Sequence, residues 1–191
     1  RTRHRVRLLK KYFAKKFSRQ GSISMPHSTP LNVLFLCTHN SARSILAEAL
    51  LNSMGGGRFK GFSAGSSPRD NQQPNPLGLQ VLKAAGIATD GLYSKSWDAF
   101  AGPDAPQMDL IITVCDDAAG EVCPIWPGHP ATAHWSYPDP SAGNASDAEK
   151  LEAFRKTLHA IHRRLELLCS LPPEKLERTV LQGSARQLAS T

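Results

Sequence analysis

Apolar positions change their spacing along the chain, and each change marks an element. Leu31–Leu36 is a short run of β-favouring apolar residues, which predicts a buried strand. Ser41–Met54 sets Ile45, Leu46, Ala49 and Leu50 at the spacing of one helix face, and Gly55–Gly57 ends that helix. Phe59–Ala64 predicts a second strand, and Leu77–Ala85 a helix stopped by Gly86. Asp109–Val114 is the strongest β run, and Ala131–Tyr137 predicts a fourth strand. Asp147–Leu168 is a long amphipathic pattern whose Leu151, Phe154, Leu158, Ile161, Leu165 and Leu168 share one stripe, a core face. Pro172 and Pro173 close it, and a short polar tail follows.

Strands alternating with helices predict an α/β fold: a four-stranded parallel sheet with helices on both faces, Rossmann-like in class. Ligands in such folds bind beyond the C-terminal ends of the strands. Cys37, Cys115 and Asp139 each fall just after a predicted strand.

The chain has 191 residues, which suggests one domain. The expected division is a basic extension over 1–30, a catalytic α/β domain over 31–183 and a C-terminal tail over 184–191. The net charge of +7 is concentrated at one end. Residues 1–24 hold nine Lys or Arg and no acid, which leaves 14 basic against 16 acidic residues in the remainder. The body is therefore not basic, and nucleic-acid binding is not expected. No run approaches the roughly 18 apolar residues of a membrane span. The arm reads three ways: a membrane-surface or transit-like segment, an anion-binding arm, or an extension that is disordered or not native. Met25, followed by a short polar lead into the first strand, favours the last.

The cysteines are Cys37, Cys115, Cys123 and Cys169. They are too sparse for a secreted disulfide scaffold, which points to reactive thiols in a reducing cytoplasm. Cys37 opens the segment Cys37-Thr38-His39-Asn40-Ser41-Ala42-Arg43-Ser44, a C-x5-R loop between strand and helix. Such a loop turns successive backbone N–H groups inward, and the following helix adds its positive end. The bowl suits a tetrahedral oxyanion, with Arg43 closing it as a planar fork. The same field is expected to favour thiolate at Cys37. Ser44 would donate to that sulfur and Asn40 would shape the loop. The bland alternatives are a small buried Cys37 and a solvent-facing His39. A nucleotide-binding P-loop is excluded, because G-x4-G-K-[ST] is absent.

Cys115 and Cys123 flank a short polar loop, Asp116–Val122, able to bring two sulfurs together or move one away. A structural cysteine pair or half a metal site are the other readings. Asp139 lies between Pro138 and Pro140, which stiffen its loop and suit a general acid; a turn or cap residue is the alternative. Asp116 and Asp117 are further acid candidates. Cys169 ends the apolar stripe and reads as a buried bystander.

VLFLCTHNSARSILAEAL resembles the signature of low-molecular-weight protein tyrosine phosphatases and of the arsenate reductases built on their fold. The similarity runs from about Leu31 to Leu168. It includes FSAG at Phe62–Gly65, CPIWP from Cys123, and AHWSYPDP ending at Pro140. The phosphatases carry a second cysteine where Ala42 stands, and a tyrosine where Asp139-Pro140 is followed by Ser141. The reductases carry two further cysteines after the third strand, as Cys115 and Cys123 stand here, one residue farther apart than in the thioredoxin-linked pattern. The resemblance therefore implies arsenate as substrate and Cys37 as nucleophile. It further implies Asp139 as acid, a Cys37/Cys115/Cys123 relay, and thioredoxin, or glutathione with glutaredoxin, as electron donor. It requires no organic cofactor. Glu48, Ser63, Ser96 and Asp98 match positions that hold potassium in some relatives. A phosphomonoester phosphatase and a non-enzymatic arsenite or redox sensor are the competing functions.

Overall fold

The structure is a computed structural model that describes residues 29–115, 130–172, 175–176 and 178–190. The basic arm up to residue 28, and with it Arg1–Ser24, lies outside the described residues, as do Asp116, Asp117, Cys123 and the CPIWP run.

Four strands form one parallel sheet: β1 (Leu31–Cys37), β2 (Phe59–Gly65), β3 (Leu110–Thr113) and β4 (Ala131–His134), in the order β2-β1-β3-β4. β1 sits centrally, with Leu34 opposite Phe62 on one side and Ile111 on the other. Its run of apolar residues is continuous because both faces are covered. Successive side chains point to opposite faces. Val33, Phe35 and Cys37 face a large cluster supplied by α1 (Arg43–Met54), α2 (Pro76–Ala84), α3 (Asp147–Cys169) and α4 (Arg178–Gln187). Leu34 and Leu36 face a smaller cluster with Phe100, Met108 and Ile111, covered by a 3-10 turn at Trp97–Phe100. Helical elements thus lie on both faces, unequally.

The predicted α3 stripe is the buried one: Phe154, Leu158, Ile161, Leu165 and Leu168 are all at 0–2 % exposure. Its start is fixed by a capping box, in which the Ser146 hydroxyl accepts from the Glu149 amide and the Glu149 carboxylate accepts from Ser146 N. Ser146→Ala is expected to lower stability by about 1 kcal/mol. Chemical denaturation checks this, and an unchanged midpoint would show the cap to be inert. Gly86 (φ +78) takes the left-handed position after α2 that its sequence place implied.

Two expectations need correction. The fourth strand ends at His134 rather than Tyr137. Trp135 N still donates to Thr113 O (2.8 Å), but β3 ends at Thr113, and among the described residues the two segments make no further backbone bond beyond it. The segment read as a polar tail is α4 with a 3-10 turn, Leu188–Ser190. It docks through buried Leu181 and Ala185, and the Trp135 indole N–H donates to Ala185 O (2.8 Å).

Candidate active site

The loop from Cys37 to Ser44 leaves the C-terminal end of β1 and runs straight into α1. Its tight path depends on two residues. Asn40 adopts φ +51, a left-handed conformation that asparagine tolerates better than most residues. Gly65, at the end of β2, passes so close that a Cβ there would lie 2.7 Å from Thr38 O. Any side chain at Gly65 would push the loop off the sheet.

Asn40 is fully buried, and every polar group it carries is engaged. Its amide N–H donates to Cys37 Sγ (3.2 Å). Nδ2 donates to Ser44 Oγ (2.9 Å) and Ser63 Oγ (2.8 Å), and Oδ1 accepts from Lys95 N (2.9 Å). Its carbonyl accepts from the Ser94 hydroxyl (2.6 Å). The residue therefore locks β2, the 94–95 segment and the loop together. Ser41 O accepts from Asn75 N (2.8 Å), which ties the loop to the start of α2. Ala42 is the residue before α1 and supplies no side-chain cap. The first amides of the helix are thus left to face the loop, the arrangement that binds anions.

The Cys37 thiol is buried, with Ser44 Oγ 2.9 Å away. Burial pushes it up, against the pull of the Ser44 hydroxyl and of the Asn40 and Ser44 amides; the neighbouring Cys115 adds to the rise. The balance is upward, where the sequence was expected to favour thiolate through the loop's field. The main cause is burial, which outweighs the loop's hydrogen bonds. The Arg43 guanidinium donates to Tyr137 O (3.0 Å) and Asp139 Oδ2 (3.3 Å).

Asp139 is 36 % exposed at the side chain and accepts from the Ser141 amide (2.9 Å) and hydroxyl (2.7 Å) through Oδ1. Burial raises its carboxyl, but Ser141, Arg43 and His39 outweigh that and hold it below its ordinary value. His39 therefore acts on the acid electrostatically, which the sequence did not suggest. Cys115, just past β3, is 1 % exposed, and its Sγ lies 3.6 Å from the hydroxyl of Thr38. The structure thus brings Cys37, Thr38, His39, Arg43, Cys115 and Asp139 to one end of the sheet. Cys169 is remote, at the end of α3, and burial pushes its thiol up to about 11.

The four potassium candidates are bonded within two pairs. The Ser63 hydroxyl donates to the Glu48 carboxylate. Ser96 and Asp98 bond each other (2.8 Å) at an exposed turn. The position beside Glu48 is taken by the Lys95 ammonium at 3.7 Å, with both side chains at most 12 % exposed. Burial raises Glu48 and lowers Lys95, and their attraction opposes both shifts. Lys95, Ser94 and Tyr137 were missed as site residues; only the fold brings them to the loop.

The family model for low molecular weight phosphotyrosine protein phosphatases matches residues 32–181. An arsenate reductase of Bacillus subtilis is 31 % identical over 134 residues, covering 70 % of this chain and 91 % of that protein. One from Bacillus licheniformis is 32 % identical over 135 residues, with the same coverages of 70 % and 91 %. Among solved structures, an arsenate reductase from Archaeoglobus fulgidus superposes with a TM-score of 0.56 at 27 % identity, covering 73 % of this chain and 99 % of its own. A low molecular weight protein tyrosine phosphatase from T. tengcongensis shares the fold, with a TM-score of 0.56 at 22 % identity over 71 % of this chain and 95 % of its own.

Proposed function

The chain belongs to the low molecular weight phosphotyrosine protein phosphatase family, and from that premise we propose that it is an arsenate reductase. One observation carries the choice over a phosphatase. A second thiol, Cys115, is buried against Thr38, the residue after the nucleophile. Phosphomonoester hydrolysis needs only Cys37, Arg43 and Asp139 and has no use for that thiol. The relatives named arsenate reductases support the same reading.

In the proposed reaction, arsenate enters the loop and draws Arg43 from Asp139, since a bidentate oxyanion is the stronger partner. Losing Arg43 raises the Asp139 carboxyl, which accepts the Cys37 proton. Cys37 sulfur attacks arsenic, and Asp139 hands that proton to the departing hydroxyl, which leaves as water. Cys115 then attacks Cys37 sulfur. The Cys37–Cys115 disulfide forms, the sulfur–arsenic bond breaks, and its electron pair reduces arsenic(V) to arsenic(III); arsenite leaves with the Cys115 proton. Cys123 attacks Cys115, returning Cys37 as a thiol. The Cys115–Cys123 disulfide is reduced from outside by thioredoxin, or by glutathione with glutaredoxin, in a reducing cytoplasm.

Three measurements test this reading. Arsenate reduction and aryl-phosphate hydrolysis should be compared on one preparation. Reduction should dominate, and hydrolysis without reduction would favour the phosphatase. Arg43→Lys removes the fork, so kcat/KM for arsenate should fall by about 10-fold or more. Unchanged kinetics would place the anion elsewhere. Because Lys95 already holds a positive charge at Glu48, the rate should also be the same in potassium and sodium salts at equal ionic strength. A saturable potassium activation would contradict that.

A further inference from the structure

Ser141 follows the proposed acid at a point where the chain turns. Ala142 N donates to Asp139 O (3.3 Å), so residues 139–142 close a turn with the buried Pro140 at its second position, where a fixed φ is already suitable. That turn brings both donors of Ser141 to one carboxylate oxygen. Asp139 Oδ1 accepts from the Ser141 amide (2.9 Å) and from its hydroxyl (2.7 Å).

The two oxygens of the carboxylate are therefore unequal. Oδ1 is doubly engaged by its own turn. Oδ2 meets Arg43 Nη2 at 3.3 Å, a long contact for a charge-assisted pair. A proton on Oδ1 would have to compete with two donors already there, whereas Oδ2 is vacated once Arg43 turns to the oxyanion. Burial raises the Asp139 carboxyl, and the Ser141 hydroxyl leads the pulls that lower it, ahead of the Ser141 amide, Arg43 and His39. Arg43 and His39 are the charged and titratable groups that act on it from the Cys37–Ser44 loop. In the proposed reaction the substrate draws Arg43 away, so Ser141 is the stronger hold that persists while the proton moves.

We propose that Ser141 is a positioning residue for proton transfer: it holds Asp139 Oδ1, so that Oδ2 takes the proton from the Cys37 thiol and gives it to the hydroxyl that leaves arsenic as water. The inference rests on the reductase reading and names the atom through which its acid works. Ser141 acts through Asp139 and touches no reacting atom itself.

Carbon-13 NMR of the Asp139 carboxyl in the full chain, assigned with Asp139→Asn, tests this together with single-turnover arsenite release. Ser141→Ala keeps the amide bond and removes the hydroxyl. The Asp139 titration midpoint should move upward. The rate at saturating arsenate should fall roughly 3- to 10-fold, while the half-saturating arsenate concentration changes far less. The decline of that rate on acidification should begin at a higher pH, because Asp139 must be ionised to accept the Cys37 proton. Ser141→Thr, which keeps a hydroxyl, should restore both the midpoint and the rate. An unchanged midpoint in Ser141→Ala overturns the proposal. So does a raised midpoint with an unchanged saturating rate, which would leave Ser141 a turn cap, and so does a Ser141→Thr protein as impaired as Ser141→Ala. The carboxyl titration needs no turnover. An unmodified chain that releases no arsenite therefore counts against the reductase reading, while a fixed midpoint counts against Ser141 alone.

Discussion

Cys37→Ser is expected to reduce arsenate turnover to background while the fold is kept. The substitution is nearly isosteric, and the hydroxyl can still meet Ser44 Oγ and the Asn40 amide, which hold the sulfur at 2.9 and 3.2 Å. What it removes is chemistry. A serine hydroxyl stays protonated where a thiol can ionise, it is a poor nucleophile toward arsenic, and it cannot form the disulfide that carries electrons. Arsenite release by a verified Cys37→Ser sample, at any rate above the protein-free control, would remove Cys37 from the mechanism. Cys169→Ser is the matched control. Its thiol is remote and pushed up to about 11 by burial, so turnover should be unchanged.

Cys115→Ser should be as damaging to reduction and harmless to hydrolysis. Cys37 would still attack arsenic and Asp139 would still protonate the leaving oxygen. The arsenic adduct would then have no internal thiol to break it, and steady-state arsenite release should fall to background. Any aryl-phosphate hydrolysis needs only Cys37, Arg43 and Asp139, so it should survive. The replacement places a hydroxyl near the Thr38 hydroxyl, now 3.6 Å from sulfur, and leaves that contact polar. Measuring both activities on one Cys115→Ser preparation gives the split. Parallel loss of both would mean that Cys115 supports the loop rather than the redox step.

The sequence exposed whatever is encoded locally. The β1 run, the C-x5-R loop and the helix starting within it are contiguous, so residue order alone places Cys37 and Arg43 on one bowl. The α3 stripe was legible because an apolar face repeats over 23 residues. α4 was hidden for the opposite reason: it is short, and among its described side chains the buried Leu181 and Ala185 are set among Arg, Gln and Ser. β4 looked longer because Trp135 and Tyr137 continue the alternation, yet a strand needs a neighbour to pair with, and β3 has ended. The Glu48–Lys95 pair joins residues 47 positions apart, so Ser96 and Asp98 were read as cation ligands while the lysine beside them went unnoticed. The burial of Cys37 is likewise a tertiary fact, and it raises the thiol where the loop's field was expected to lower it.

The three-cysteine relay is the central claim, and a single-turnover experiment on Cys123→Ser tests it most directly. The variant, reduced and mixed with excess arsenate, should release about one arsenite per protein and then stall, because nothing remains to resolve Cys115. Mass spectrometry of the quenched sample should find Cys37 joined to Cys115. Continued cycling of Cys123→Ser with thioredoxin at the unmodified rate, or a stalled protein without the Cys37–Cys115 disulfide, would contradict the relay.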